Sequence, residues 1–180
     1  MPCASTFASI GIDEIAGTAT VVGYAGEITD VVIPDSIIIN GKSYTVTAIE
    51  STALSGCPTL TSVVIPDSVT SMGTFEYCTN LKEVTIGNGI TNIPTMCFLE
   101  CISIEKLTIG TGIIELGTKL FLGTNSFKTL IINSTTLPHM LYIIANTSIP
   151  TGVTIYVPAE SLADYKNMPV WQGYDIQPIE

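Results

Sequence analysis

The side chains with the greatest capacity for chemistry in this 180-residue chain are five cysteines and a single histidine. Cys57, Cys78 and Cys101 are 21 and 23 residues apart, which places them at one position of a repeating unit. Stacked units would hold these thiols about 5 Å apart, the spacing of neighbouring strands. A disulfide prefers Cβ atoms about 3.8 Å apart, so we expect a column of buried, reduced thiols that act as small apolar groups.

A metal site is not predicted from these cysteines. Zinc ligands usually occur in closely spaced pairs, and the chain has no Cys-x-x-Cys sequence. Cys97 and Cys101 are four residues apart but occupy different positions of the repeating unit. Cys3 follows a Met-Pro pair, where we expect an ordinary thiol and not the remnant of a lipid-attachment cysteine. We therefore expect no metal-binding residues and no cofactor.

Catalysis would have to depend on the histidine or on paired carboxylates. His139 lies in the least regular part of the sequence and has no nucleophile motif beside it. Asp35 and Asp67 occur in two equivalent Ile-Pro-Asp-Ser segments, and stacked carboxylates could act on a polysaccharide in a parallel β-helix. The simpler interpretation is that each aspartate accepts hydrogen bonds from its own turn backbone. We expect no catalytic residues and no enzymatic activity.

Two glycine pairs resemble the start of a dinucleotide-binding fingerprint. Gly87-Asn88-Gly89 and Gly110-Thr111-Gly112 lack the third glycine, and no long helical pattern follows them. Their separation of 23 residues indicates that each lies at a corner of the repeating unit. The sequence therefore predicts structural turns here and no cofactor-binding residues.

The repeating unit must position all of these residues, and its period is near 23 residues. Its first part recurs at 60–65, 81–86, 104–109 and 127–132. The last three positions of each copy, such as Val84-Thr85-Ile86, alternate as in a half-buried strand. One unit of this length cannot bury its apolar side alone. The sequence thus predicts a mostly β, right-handed solenoid with one parallel sheet, short helical or irregular segments, and a cap at each end.

The second part of each unit is also repeated and supplies the core. Ile90-Thr-Asn-Ile93 matches Ile113-Ile-Glu-Leu116, and large apolar residues such as Phe98 and Phe121 follow. We expect these phenylalanines to fill the space between the two long sides of the solenoid. Between the first two units, Asn40-Gly41 is flanked by β-forming residues, which is a strong hairpin signal.

The repeat alignment predicts which side chains leave the sheet on its outer side. One outward column contains Val32, Val64, Thr85, Thr108, Ile131 and Tyr156, and its neighbour contains Asp30, Ser62, Glu83, Lys106, Thr129 and Thr154. Strands prefer β-branched residues in any case, so this composition alone does not distinguish a binding role from a structural one. We take Val64, Thr85, Thr108, Ile131 and Tyr156 as the candidate partner-binding face.

The composition excludes several classes of protein. With 12% charged and 46% apolar residues, the chain is not disordered. No apolar run approaches the roughly 18 residues of a membrane-spanning helix, so no membrane insertion is predicted. A net charge of −10 with six basic residues argues against nucleic acid and against an anionic membrane surface as partners. Residues 1–18 lack the basic start and long apolar core of a signal peptide.

The pattern Leu-x-x-Val-x-Ile-Pro, followed by Val-x-x-Ile and Phe-x-x-Cys, resembles the BspA-like leucine-rich repeat of bacterial surface proteins. The stretch 17–44 and the ending 155–165 resemble that family's caps. Leu54 in place of phenylalanine and the segment 134–151 depart from the pattern. We expect one leucine-rich-repeat domain over 1–180, with caps at 1–26 and 159–180, repeats at 27–158 and a hairpin insertion at 36–46.

The resemblance implies a cell-surface or extracellular location, adhesin-like roles and no catalytic residues to carry over. We therefore expect a non-enzymatic protein that binds a protein partner, such as a host protein, through the outer side of its sheet. A carbohydrate-binding module and a structural spacer are the alternatives. A glycan site would favour several aromatic residues on one face, and Tyr156 is alone there. The sequence does not decide the ligand or the oligomeric state.

Overall fold

Strands dominate the secondary structure of the chain. A computed structural model describes residues 7–136 and 149–180. In these ranges there is one α-helix, α1 (Leu162–Asn167), and 3₁₀ turns occur at Ala159–Ser161 and Pro169–Trp171. The thirteen strands of the described ranges are β1 (Phe7–Asp13), β2 (Thr18–Tyr24), β3 (Asp30–Val32), β4 (Ser36–Ile39), β5 (Lys42–Ile49), β6 (Ser62–Ile65), β7 (Glu83–Ile86), β8 (Asn92–Ile93), β9 (Lys106–Ile109), β10 (Glu115–Leu116), β11 (Thr129–Ile132), β12 (Thr154–Val157) and β13 (Asp175–Pro178).

Seven parallel strands form the largest sheet, in the order β13-β12-β11-β9-β7-β6-β3. Successive coils pair in register, so Val63 lies beside Val84 and Val84 beside Leu107. These inward side chains are fully buried, because the two-residue alternation of each strand sends them all to one side. The sheet confirms the predicted mostly β solenoid with its parallel strands.

The return side of each coil, which is the long side opposite the seven-stranded sheet, has fewer strand pairs between neighbouring coils. Here β8 and β10 form a two-stranded parallel sheet, a feature additional to the one sheet expected. Backbone bonds continue this ladder elsewhere: the amide of Thr70 donates to the Thr47 carbonyl at 2.9 Å, and Ile114 donates to Thr91 at 2.8 Å. Backbone hydrogen bonds therefore join neighbouring coils on the return side at several places, as well as in the large sheet.

Two hairpins build a four-stranded sheet at the N-terminal end, in the order β1-β2-β5-β4. The predicted turn between β4 and β5 is confirmed, since Asn40 and Gly41 both have positive φ, at 51° and 79°. These values are those of a two-residue type I′ turn, which suits Asn-Gly. The strand β5 continues to Ile49, so the insertion hairpin runs directly into the return side of the first coil.

Three aromatic residues pack together at the C-terminal end. The Trp171 ring lies 6.1 Å from that of Tyr165 and 6.2 Å from that of Tyr174. The Tyr165 hydroxyl donates to the Ser134 carbonyl at 3.2 Å, and burial raises the pKa of this tyrosine to about 12. This end of the chain contains the short helix α1 together with the 3₁₀ turn before it.

The core runs without interruption from one end of the described chain to the other. Ala19 and Val21 belong to it in the N-terminal hairpin, and Tyr165 and Ile176 belong to it near the C-terminus. Its most regular part is a column of phenylalanines, Phe75, Phe98 and Phe121, whose rings stack at 5.8 and 5.7 Å. No helix in the described ranges is both long enough and apolar enough to cross a membrane.

Candidate binding face

The outward column of the large sheet is assembled as the repeat alignment predicts. Val64 lies beside Thr85, Thr85 beside Thr108, and Ile131 between Thr108 and Tyr156. The five candidate residues thus form one continuous row across five strands. We call this row, from Val64 to Tyr156, the binding face.

The row extends beyond the five candidates at both ends. Val32 precedes Val64, and Gln177 follows Tyr156 on β13. The seventh strand was not predicted, although Ile176 between two polar residues and before Pro178 repeats the pattern of the preceding strand. Seven strands about 4.8 Å apart give a row about 29 Å long.

Accessibility changes along the row. Val32 and Val64 are 54% and 39% exposed, so the apolar end of the row is open to solvent. Thr85, Thr108 and Ile131 are half-buried between their neighbours in the sheet. The row therefore offers methyl and hydroxyl groups on a rigid backbone and has no charged side chain of its own.

Charged residues lie beside this row and neutralise one another. The Lys106 ammonium contacts Glu83 at 2.7 Å, and the Lys128 ammonium contacts Glu105 at 3.0 Å. Lys-Glu in one coil (82–83) is followed by Glu-Lys in the next (105–106), so stacking brings opposite charges together. These exposed pairs contribute at most about 1 kcal/mol each, and they cancel the four charges nearest the middle of the row.

At the first strand of the sheet, Asp30 is bound by hydroxyl groups. Its Oδ1 accepts hydrogen bonds from Ser62 Oγ at 2.5 Å and from Thr61 Oγ1 at 2.9 Å. These bonds favour the charged carboxylate and lower its pKa. Asp30 therefore stays ionised next to the exposed Val32.

The four cysteines of the described ranges are buried and unpaired. The Cys78 thiol donates to the Leu54 carbonyl and the Cys101 thiol to the Phe75 carbonyl, both at 3.0 Å and both in the preceding coil. Burial raises the pKa of Cys78 to about 11 and holds the pKa values of Cys97 and Cys101 well above their usual range. Thiols in this state are poor nucleophiles and poor metal ligands, because both roles require the thiolate. The predicted burial of Cys57, Cys78 and Cys101 is confirmed, and their reduced state stays a prediction.

No group of three or more metal-ligating side chains occurs in the part of the chain that the structure describes. His139 and Cys3 lie outside the described residues, as does 137–148 of the irregular segment.

The corners of the coils are tied by a polar ladder that the sequence did not reveal. Both Asp67 carboxylate oxygens accept hydrogen bonds from Asn88. The backbone N–H of Asn88 donates to Oδ1 at 2.7 Å, and its side-chain Nδ2 donates to Oδ2 at 3.0 Å. Asn88 Oδ1 in turn accepts from the amide of Thr111 at 2.8 Å. The expectation that Asp67 bonds its own turn was therefore wrong, because the next coil brings a better donor to it. Its role is structural.

The corner glycines are required by close packing of the backbone. A Cβ on Gly110 would lie 2.7 Å from the carbonyl carbon of Gly87 in the preceding coil. Gly87 has the same relation to Pro66, at 2.6 Å. The predicted turns are confirmed at 88–89 and 111–112, and the glycines allow the backbones of neighbouring coils to approach closely there.

A solenoid with these features is a leucine-rich-repeat protein by architecture. A sequence model of the BspA type leucine rich repeat region matches residues 47–155 in six copies. The chain belongs to this family of bacterial surface-type repeat proteins.

Solved structures of bacterial repeat proteins share the fold. A leucine-rich repeat protein from Bacteroides capillosus ATCC 29799 is 29% identical, with a TM-score of 0.61 over 69% of this chain and 93% of that one. One from Bacteroides ovatus ATCC 8483 is 22% identical, with a TM-score of 0.59 over 83% of this chain. This chain spans 36% of the length of that protein. The T. pallidum leucine rich repeat protein is 19% identical, with a TM-score of 0.61 over 97% of both chains. A comparison with curated proteins found no match.

Proposed function

We propose that this chain is a non-enzymatic repeat protein that binds a protein partner through the binding face of its seven-stranded sheet. The observation that carries the proposal is the register of Val64, Thr85, Thr108, Ile131 and Tyr156, which form one continuous, uncharged row. Extended arrays of this kind present a preformed surface to a partner. Because the strands of the sheet are already ordered, this chain loses little conformational entropy on binding.

The composition of the row suits a protein better than a glycan. Val64 is exposed next to hydroxyl-bearing Thr85 and Thr108, so a partner can bury methyl groups and still satisfy polar ones. Tyr156 is the only aromatic side chain in the row, whereas stacking of sugar rings would favour several.

The surrounding charges predict how binding responds to salt. Glu83 is paired with Lys106 and Glu105 with Lys128, so these four charges exert little net field on a partner that approaches the middle of the row. We expect the affinity to change only weakly with ionic strength, unlike that of a charge-steered complex.

We further propose a location at the bacterial cell surface or outside the cell. The family to which the chain belongs consists of bacterial surface-type repeat proteins, and this membership is what supports the location. Labelling of intact cells with an antibody against the chain tests it, and labelling only after lysis contradicts it.

A surface-binding assay against host matrix proteins and a glycan array tests the binding proposal. Thr85→Lys and Thr108→Lys should each abolish binding to the protein partner while circular dichroism shows an unchanged fold, because both side chains point outward from the sheet and a lysine there can extend its charged end into solvent. Thr91→Lys, an exposed threonine on the return side, is the matched control and should bind like the parent.

Folded Thr85→Lys and Thr108→Lys variants that bind as well as the parent would exclude the binding face. The segment 134–151 would then be the next region to vary. Binding to glycans alone would instead support the carbohydrate-binding alternative.

A further inference from the structure

The edges of the two larger sheets differ in how well they are protected against pairing with another chain. In the described ranges the edge strands are β3 and β13 of the large sheet and β1 and β4 of the N-terminal sheet. The strand β3 carries the exposed Asp30, β13 carries Asp175 and ends in Pro178, and β1 has irregular register around Ser9. Charges, prolines and bulges are devices by which proteins block edge-to-edge association.

The strand β4 has none of these devices. Its sequence, Ser36-Ile37-Ile38-Ile39, contains no charge and no proline, and it pairs with β5 without a register shift. Ile38 is 74% exposed and Ile39 is 36% exposed. An exposed, regular and apolar edge of this kind is a template for a further strand.

The backbone groups on the free side of β4 can be identified from the hairpin register. The amide of Val46 donates to the Asp35 carbonyl at 2.8 Å, so the pair Asp35 and Val46 is hydrogen-bonded. Hydrogen-bonded and non-bonded pairs alternate along antiparallel strands. The N–H and C=O groups of Ser36 and Ile38 therefore point away from β5, and no backbone bond in the described part of the chain reaches them.

We propose that β4 pairs antiparallel with β4 of a second copy of this chain, across a twofold axis at Ile37. Ser36 then lies opposite Ile38 of the partner subunit, and Ile38 opposite the partner's Ser36. The outward groups of these residues form up to four backbone hydrogen bonds, and two four-stranded sheets become one sheet of eight. A short strand without charge is complementary to itself, which is what a twofold contact requires.

Charge and area decide the occupant and the strength of the contact. Each chain carries a net charge of −10, so contact between two copies is least opposed where the facing residues carry no charge, as in β4. The exposed Asp35 just before β4 lies opposite Ile39 of the partner subunit in this register, and not opposite its own copy. The Lys42 ammonium donates to the Glu14 carbonyl at 3.0 Å, which links the tip of the β4–β5 hairpin to the tip of the β1–β2 hairpin. The exposed Ile15 lies in the second of these tips, at the same end of the sheet. A four-residue edge buries less than the roughly 1,200 Å² of a stable interface, so the dimer is weak and depends on concentration.

Sedimentation equilibrium of the whole chain, from about 10 μM to about 1 mM, tests the pairing because a weak dimer has its dissociation constant in this range. The weight-average mass of the parent should rise toward twice the monomer mass. Ile38→Lys, which adds a charge to the edge, should remain monomeric throughout. Ile38→Pro should do the same without breaking the hairpin, because the Ile38 N–H points away from β5.

Ile114→Lys is the matched control, since Ile114 is 51% exposed but lies on the return side, away from the edge, and this variant should dimerise like the parent. Amide hydrogen exchange should slow with concentration at Ser36 and Ile38. A parent that is monomeric at the highest concentration, a dimer that persists in both Ile38 variants, or growth beyond a dimer would each overturn the proposal.

Discussion

Phe75 and Phe98, 23 residues apart in sequence, stack with their ring centroids 5.8 Å apart and their planes within 3° of parallel. The column continues through Phe121 to Phe127, whose rings are 4.2 Å apart. Phe127 comes from the strand side of its coil, so the aromatic column crosses from one long side of the solenoid to the other.

Removing a ring from the middle of this column should destabilise the whole chain. Phe98→Ala and Phe121→Ala should each lower the free energy of unfolding by about 3–5 kcal/mol, because each leaves a cavity between two rings. Lys106→Ala removes only an exposed ion pair and should cost at most about 1 kcal/mol. Urea unfolding followed by circular dichroism measures all three. Phe98→Leu should lose less than Phe98→Ala, since Leu54 fills the same position in the first coil. Three equal, small shifts would mean that the core lies elsewhere.

The buried thiols should be almost unreactive in the native protein. Cys57, Cys78, Cys97 and Cys101 are inaccessible, and burial raises the pKa of the last three. A thiol reagent should therefore modify at most Cys3 quickly, and all five cysteines after denaturation. Mass spectrometry that finds a Cys57–Cys78 or Cys78–Cys101 bridge in the native protein would contradict the thiol column.

The same thiols should make the protein less stable in alkaline solution. A thiol whose pKa is higher in the folded state keeps its proton above pH 9 while the unfolded chain loses it, so stability is full below pH 9 and falls as the pH rises toward the folded value. For Cys78 that value is about 11. Each such thiol steepens the fall by about 1.4 kcal/mol per pH unit.

Cys78→Thr isolates this effect, because Thr124 occupies the same position in a later coil and donates to the Phe121 carbonyl at 2.9 Å. Between pH 8 and pH 10 the free energy of unfolding should fall more steeply for the parent than for Cys78→Thr, because the variant has no thiol to ionise at this position. An equal fall in the two proteins over that range would show that the ionisation of Cys78 is not coupled to unfolding.

Tyr77→Gly should stabilise the chain, although it removes a large side chain. Tyr77 has φ 61°, and Gly56 and Gly123 hold the equivalent positions with φ 66° and 82°. The left-handed conformation costs a non-glycine residue about 1–2 kcal/mol, and glycine avoids this cost. Glycine also loses more conformational entropy on folding, which offsets about half of the gain. We expect a gain of roughly 0.5–1 kcal/mol in thermal or urea unfolding. Tyr77→Ala keeps the strain and is the control; the interpretation fails if the glycine variant is no more stable than the alanine variant.

Much of the fold follows from local patterns in the sequence. The alternation in Val84-Thr85-Ile86 fixes which side chains face inward, and the recurrence of that pattern fixes the register between coils, since identical units stack by simple translation. The outward row from Val64 to Tyr156 could therefore be assigned in advance. Asn40-Gly41 fixed a hairpin turn because few other dipeptides accept two positive φ values.

Contacts between coils depended on the tertiary structure. The sequence alone determined the solenoid, the inward and outward positions and the place of the thiol column. Only stacking decided that Asp67 is bound by Asn88, 21 residues further on, that the Cys101 thiol points to the Phe75 carbonyl, and that the edge of β4 stays open. The physical reason is that a two-residue or 23-residue period sets the side to which a residue points, whereas its partner is chosen by the geometry of the neighbouring coil.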